Sequence, residues 1–183
     1  PSHFQKLDML IRHCINRYGL SYVSSWYFEV WAGHSDYLEY DESGVEYAQR
    51  FKKIHTILSA HLPVLHLGGP GFNTSAPIAF LQNFIQEINR EKLSFSFLSI
   101  YLYPYKVTAS NLLKHKDDYV ILSADKDIFS KKLSFIKSSL SSFYRQFPPV
   151  IVTEYNSDLA GQNHINDSCF QSAFICRSFL RLK

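Results

Sequence analysis

One carboxylate near the end of the chain is the strongest candidate for chemistry. Glu154 follows the apolar run Val150-Ile151-Val152-Thr153, which is typical of a buried strand. A carboxylate at the end of such a strand costs free energy unless it is hydrogen-bonded or functional. The sequence therefore marks Glu154 as a candidate catalytic residue. A structural glutamate that caps or salt-bridges the rim of the sheet is the alternative.

Aromatic side chains stand at the ends of the other predicted strands. Trp31 closes the run Trp26-Tyr27-Phe28-Glu29-Val30-Trp31, while Tyr101 and Tyr103 precede Pro104. Tryptophan and tyrosine combine a flat apolar face with a polar edge, which suits the face of a sugar ring. The same rings could equally form a lid over the core.

Helices and short apolar strands alternate along the chain and must position these residues. The order favours parallel strands with right-handed crossovers, whose carboxyl ends gather ligands at one edge. The pattern alone leaves two architectures open, a doubly wound open sheet or part of a (β/α)8 barrel. The predicted strands are 26–31, 63–67, 94–103 and 150–156, and the predicted helices are 2–19, 44–60, 73–89, 125–145 and 167–182.

Several local expectations accompany this outline. The first strand is predicted to be buried on both faces because it is rich in aromatic and β-branched residues. The glycines and proline of 68–71 predict a tight turn after the second strand. Residues 106–125 predict an irregular loop with a short helix at 110–114. The three cysteines lie among apolar residues and are expected to be buried.

Composition excludes several classes of function. With 46% hydrophobic and 19% charged residues over 183 positions, the chain is expected to form one folded domain, 1–183, rather than a disordered segment. A net charge of +3 without a basic stripe argues against a nucleic-acid interface. No phosphate-binding glycine motif follows any strand, so no cofactor is predicted, and no metal site either. Without a signal peptide or an apolar run of about 20 residues, a cytoplasmic location and no membrane contact are expected.

These strand ends resemble those of glycoside hydrolase family 39, the β-xylosidase and α-iduronidase family with a (β/α)8 barrel. The run 26–31 resembles the family's fourth strand, Leu67-Gly68-Gly69-Pro70 the end of the fifth, and 97–104 the sixth, where Tyr101 replaces the usual His. The segment Val152-Thr153-Glu154-Tyr155-Asn156 resembles the seventh strand. The resemblance implies that Glu154 occupies the position of the nucleophile.

The departures from that family concern the second carboxylate. A retaining glycosidase needs a nucleophile and a general acid/base, and Gly33 stands where the resemblance places the acid. Ala32 replaces the preceding Asn, and His34 replaces the following Pro. Glu29, His34 and Asp36 are nearby candidates for a displaced acid. The resemblance therefore implies a site that binds a sugar without hydrolysing it, with an active retaining β-glycosidase as the alternative.

Length is the second departure. The resemblance covers only the fourth to seventh strands, so the chain is expected to be a half barrel, the C-terminal-half fragment of a longer barrel. A homo-oligomer that covers its open surfaces is the other possibility. Similar domains are attached to AraC-type transcription regulators, which implies a carbohydrate sensor whose DNA contacts lie outside this chain. A purely structural or dimerisation module is the third hypothesis. The expected ligand-binding residues are Trp31, His34, Tyr101, Tyr103, Glu154 and Asn156.

Overall fold

The computed structural model describes residues 2–33, 41–107, 120–123, 125–144, 146–156 and 167–181. Within these ranges, helices and strands alternate as the sequence predicts, with a short additional helix and a hairpin. The helices are α1 His3–Tyr18, α2 Leu20–Val23, α3 Gly44–Ser59, α4 Ala79–Arg90, α5 Ile128–Leu140 and α6 Cys169–Arg181. The strands are β1 Tyr27–Glu29, β2 His66–Asn73, β3 Phe97–Leu102, β4 Tyr105–Val107, β5 Val120–Leu122 and β6 Val150–Tyr155.

Four parallel strands form the main sheet, in the order β1-β2-β3-β6. The predicted parallel pairing is thus confirmed. The two outermost strands also meet across the sheet, because the Thr153 hydroxyl on β6 donates to Glu29 Oε1 on β1 at 3.3 Å. Strands that are not neighbours in the sheet can touch only if the sheet curls. The architecture is therefore a curled half barrel with its helices, consistent with part of a (β/α)8 barrel rather than an open sheet.

The core lies between the sheet and the helices, and its densest part is aromatic. The Phe84 ring lies edge-on to Tyr47, Phe51 and Phe95, with centroid distances of 4.6, 5.5 and 5.4 Å. The predicted inner stripe of α4 is confirmed. Its five members are all buried: Phe80, Leu81, Phe84, Ile85 and Ile88.

Side-chain caps fix where two helices begin. Ser2 accepts a hydrogen bond from the Gln5 amide, and Ser43 accepts one from the Glu46 amide; in both cases the third residue of the helix closes a capping box. Such reciprocal caps satisfy two amide groups that the helix leaves without partners. The cap at Ser43 matters for the site, because Asp41 and Glu42 lie directly before it.

The prediction of a tight turn at 68–71 is wrong. Those residues belong to the buried strand β2, which runs on to Asn73. The glycines are needed for close approach: a Cβ on Gly68 would lie 2.4 Å from the Phe97 carbonyl oxygen, and one on Gly69 would lie 2.6 Å from the Val30 carbonyl oxygen. Gly71, with φ of +70°, lies where the β2–β3 register shifts. A strand that lies this close to neighbouring backbone needs glycines, and glycine is also the residue that predicts a turn.

Other expectations also fail within the described residues. The first predicted strand is not buried on both faces: Tyr27 is 63% and Trp31 52% exposed. The reason is that β1 lies at the edge of the sheet, where it has a neighbouring strand on one side only. Cys169 and Cys176 are exposed and Cys14 is half-buried, because the α6 cysteines lie on its outer face. Residues 105–107 and 120–122 form an antiparallel hairpin instead of irregular loop. The expected short helix at 110–114 lies outside the described residues.

In the ranges that the structure describes, no helix has the length and apolar character needed to cross a membrane.

Candidate functional site

Glu154 lies at the carboxyl end of the sheet, where the sequence places it. In the strand register Glu154 pairs with Tyr101 on β3, and Tyr101 pairs with Asn73 on β2. The Glu154 side chain is exposed, and its Oε1 accepts a hydrogen bond from the hydroxyl of buried Tyr103. The described polar partner of Glu154 is thus a phenol rather than a cation. This contact fixes one carboxylate oxygen while the carboxylate faces solvent.

Tyr101 and Trp31 form a ring pair at the same end of the sheet. The two side chains share a hydrogen bond, in which the indole N–H is the donor and the phenol oxygen accepts. Burial raises the pKa of Tyr101 to about 12, and the carboxylates of Glu29 and Glu154 reinforce this effect. The phenol is therefore neutral at physiological pH. Both carboxylates lie close enough to act on one ring, which places Glu29 near the same site.

Gly71 provides the space for this ring pair. A Cβ at residue 71 would lie 2.6 Å from the Tyr101 hydroxyl and 2.8 Å from Trp31 Cδ1. Its φ of +70° is a conformation that residues with a side chain rarely adopt. The rings can approach each other only because this residue has no side chain.

We expect Gly71→Ala to displace Trp31 and to destabilise the fold by more than the about 1 kcal/mol that backbone strain alone costs. The measurement is urea unfolding together with Trp31 fluorescence in a Trp26→Phe background. Gly19→Ala is the matched control, since Gly19 also has positive φ, at +90°, but a Cβ there would meet nothing within 4 Å. Equal losses of stability with unchanged fluorescence would contradict the ring-pair explanation.

Gly33 lies just beyond β1, at the same end of the sheet, and the carboxylate of Asp41 lies against it. The Ala32 amide donates to the Pro70 carbonyl at 2.8 Å, so the β1–β2 ladder continues to this point. A Cβ at residue 33 would lie 2.6 Å from Asp41 Oδ2. Asp41 is not among the site residues that the sequence predicts. The only available signal was its place in an acidic segment before the Ser43 cap.

The other predicted ligand-binding residues, Asn156 and His34, are not among the side chains that the structure brings together here. Asn156 Oδ1 accepts a hydrogen bond from Gln171 Nε2 at 2.5 Å, which ties the end of β6 to α6. The Tyr155 ring packs edge-on against Phe179 at 6.0 Å. His34, together with Asp36, lies outside the described residues. The structure thus brings together Trp31, Tyr101, Tyr103, Glu154 and Glu29 at one strand-end site.

A curled parallel half barrel that presents a glutamate and aromatic rings at its strand ends is the architecture of a glycosidase-type (β/α)8 protein. The model of glycosyl hydrolases family 39 matches residues 3–181. The chain belongs to this family.

Among curated proteins, the chain is similar to β-xylosidases. It is 25% identical over 181 residues to the β-xylosidase of Caldicellulosiruptor saccharolyticus, covering 96% of this chain and 34% of that protein. It is 22% identical over 174 residues to the β-xylosidase of Geobacillus stearothermophilus, covering 92% and 33%. The chain thus spans about a third of the length of these relatives.

Solved structures agree on the fold. A monomeric β-xylosidase from Caulobacter crescentus superposes with a TM-score of 0.76 at 19% identity, over 98% of this chain and 36% of that one. A family 39 enzyme from Xanthomonas axonopodis pv. citri gives a TM-score of 0.75 at 20% identity, over 98% and 35%.

Proposed function

We propose that this chain forms part of a carbohydrate-binding site for a xylose-type sugar and that the site senses its ligand without hydrolysing it. Two features together carry the proposal. Glu154 is exposed and hydrogen-bonded to Tyr103, and residue 33 is a glycine. The family's strand-end scaffold supports binding. The missing side chain supports the loss of catalysis.

Retaining hydrolysis requires two carboxyl groups roughly 5–5.5 Å apart, one as nucleophile and one as proton donor to the leaving oxygen. Glu154 occupies the first position by its resemblance to the family. Glycine has no group that could donate a proton, and losing general acid catalysis costs about 10²–10⁴-fold in rate. Binding of the sugar by Glu154 and the aromatic rings does not depend on that donor.

The described side chains suit a pyranose ring. The Glu154 carboxylate has about four acceptor sites, of which Tyr103 uses one, so it can still accept hydrogen bonds from adjacent sugar hydroxyls. The Trp31 ring is 52% exposed and offers a flat face to the apolar side of the sugar. The neutral phenol of Tyr101 lies beside both groups.

Calorimetry of the full-length protein with xylose, arabinose and glucose tests the proposal. Millimolar or tighter binding of one sugar that depends on Glu154 supports it. The absence of binding by all three, with a loss of stability in Glu154 variants, would instead support a purely structural or dimerisation module.

Tyr103→Phe is expected to weaken xylose binding by about threefold to tenfold, because a net hydrogen bond contributes about 0.5–1.5 kcal/mol and the Glu154 carboxylate loses its fixed orientation. Tyr144→Phe is the matched control. Its hydroxyl is buried without a hydrogen-bond partner in the described residues, so its removal should leave sugar affinity unchanged. Calorimetric titration of both variants checks the prediction, and equal affinity in Tyr103→Phe and the parent would contradict it.

We further propose that the site belongs to an AraC-type transcription regulator. In that arrangement sugar binding controls a helix-turn-helix module outside residues 1–183, and DNA contacts lie entirely in that module. The full-length gene product tests this proposal directly. A helix-turn-helix pair elsewhere in it, with xylose-dependent operator binding, is the expected result; its absence would rule out this role without affecting the sugar site.

Hydrolysis is the second candidate function, favoured by Glu154 at the nucleophile position and by relatives that are named β-xylosidases. A nitrophenyl β-xyloside is the fair substrate, because its leaving group needs little protonation. Turnover by the full-length protein that disappears in Glu154→Gln would support hydrolysis over sensing.

A further inference from the structure

Asp41 places a carboxylate beside the strand end that lacks the family's proton donor. Its Oδ2 lies 2.6 Å, its Cγ 3.5 Å and its Cβ 3.8 Å from the point where a Cβ of residue 33 would stand. The carboxyl carbon of a glutamate lies about 2.5 Å from its own Cβ, from ordinary bond lengths and angles. The Asp41 oxygen therefore lies within the distance from this point that the carboxyl group of a glutamate at position 33 could reach.

Two sets of hydrogen bonds hold residues 41 and 42 against the end of β1. The Asp41 amide donates to the Gly33 carbonyl at 3.1 Å. One residue further, Glu42 accepts hydrogen bonds from Arg50, and Arg50 Nη2 also donates to the Trp31 carbonyl at 3.1 Å. The carboxylate of Asp41 is thus positioned by contacts with residues 31 and 33 themselves. A side chain at position 33 would meet Asp41 Oδ2, so glycine leaves room for the carboxylate in this position.

We propose that Asp41 is a sugar-binding carboxylate that makes the site select a free reducing sugar over a glycoside. This inference rests on the proposed sensing function and names its ligand class. Asp41 faces the anomeric oxygen of the ligand from the side on which a hydrolase places its acid. It binds that oxygen as a hydrogen-bond acceptor.

The selectivity follows from where hydrogens lie. A glycosidic oxygen carries no hydrogen, so it must receive a hydrogen bond, and a protonated acid supplies one. An ionised aspartate only accepts hydrogen bonds. The anomeric hydroxyl of free β-xylose can donate to it, in a charge-assisted bond. A methyl β-xyloside cannot donate and places its oxygen against a carboxylate instead.

The test is calorimetric titration of the full-length protein with xylose and with methyl β-xyloside. The parent protein is expected to bind xylose on the order of tenfold to a hundredfold more tightly, the range for a hydrogen bond to a charged group. Asp41→Asn should lose most of this preference, because its amide can donate to the glycosidic oxygen. Asp167→Asn, an exposed aspartate before α6, is the charge-matched control and should keep the preference.

The outcomes separate this inference from the proposed function. Equal preference in the parent and in Asp41→Asn, with binding that still requires Glu154, overturns the role of Asp41 alone. Turnover of methyl β-xyloside that is lost in Asp41→Asn also overturns it, because Asp41 would then be a proton donor. If neither sugar binds to any variant, the sensing function fails together with this inference.

Discussion

Glu154→Gln in the full-length protein is expected to weaken xylose binding by about tenfold to a hundredfold while changing the free energy of unfolding little. A hydrogen bond to a charged acceptor contributes about 1.5–3 kcal/mol, and the amide offers the sugar a neutral acceptor at best. The Tyr103 hydroxyl can still donate to the remaining carbonyl oxygen. Glu154 is exposed, so its neutral replacement leaves no buried charge uncompensated.

Calorimetric titration and urea unfolding measure the two quantities separately. Glu91→Gln is the matched control: Glu91 pairs with Lys52 at 2.5 Å on the surface between α3 and α4, and such pairs contribute about 0–1 kcal/mol. The control should bind xylose like the parent. Unchanged sugar affinity with a clear loss of stability in Glu154→Gln would show that the glutamate is structural, as the alternative interpretation of the sequence holds.

The sequence was sufficient to place Glu154 and the helical core because both depend on local periodicity. The spacing of Phe80, Phe84 and Ile88 is that of one helix face, and these residues are buried as predicted. A run of apolar residues that ends in a carboxylate predicts a strand end wherever the strand lies in the sheet. Parallel strands then bring such ends to one edge.

Features that depend on contacts between distant segments could not be predicted. Gly68 and Gly69 indicated a turn because nothing local reveals that Phe97 and Tyr47 press against them. The apolar run that ends at Trp31 predicts a buried strand, yet Trp31 is exposed because β1 lies at the edge of the sheet.

Asp41 is the clearest case of such a contact. Its approach to Gly33 is fixed by a backbone hydrogen bond and by Arg50, eight or more residues away along the chain. Its only local signal was its place in the acidic segment before the Ser43 cap, while Gly33 indicated only that a side chain was missing.

Gly33→Glu combined with Asp41→Ala is expected to raise hydrolysis of methyl β-xyloside by about 10²–10⁴-fold, the range for general acid catalysis. The described contacts allow the exchange. Gly33 is not among the residues with positive φ, so its backbone accepts a side chain. With Asp41 shortened to alanine, the nearest remaining atom of that residue is its Cβ, 3.8 Å away, an ordinary van der Waals distance.

Initial rates with methyl β-xyloside and nitrophenyl β-xyloside, measured across pH, check the expectation. Gly33→Gln with Asp41→Ala has the same shape without an acid and should remain inactive, and adding Glu154→Gln to the active variant should abolish turnover. The gain should be far larger for the methyl glycoside, because the nitrophenyl leaving group needs little protonation, and a bell-shaped pH profile should appear. Equal gains on both substrates would mean that the new glutamate acts by binding. No gain on either would mean that position 33 is not where the proton donor belongs.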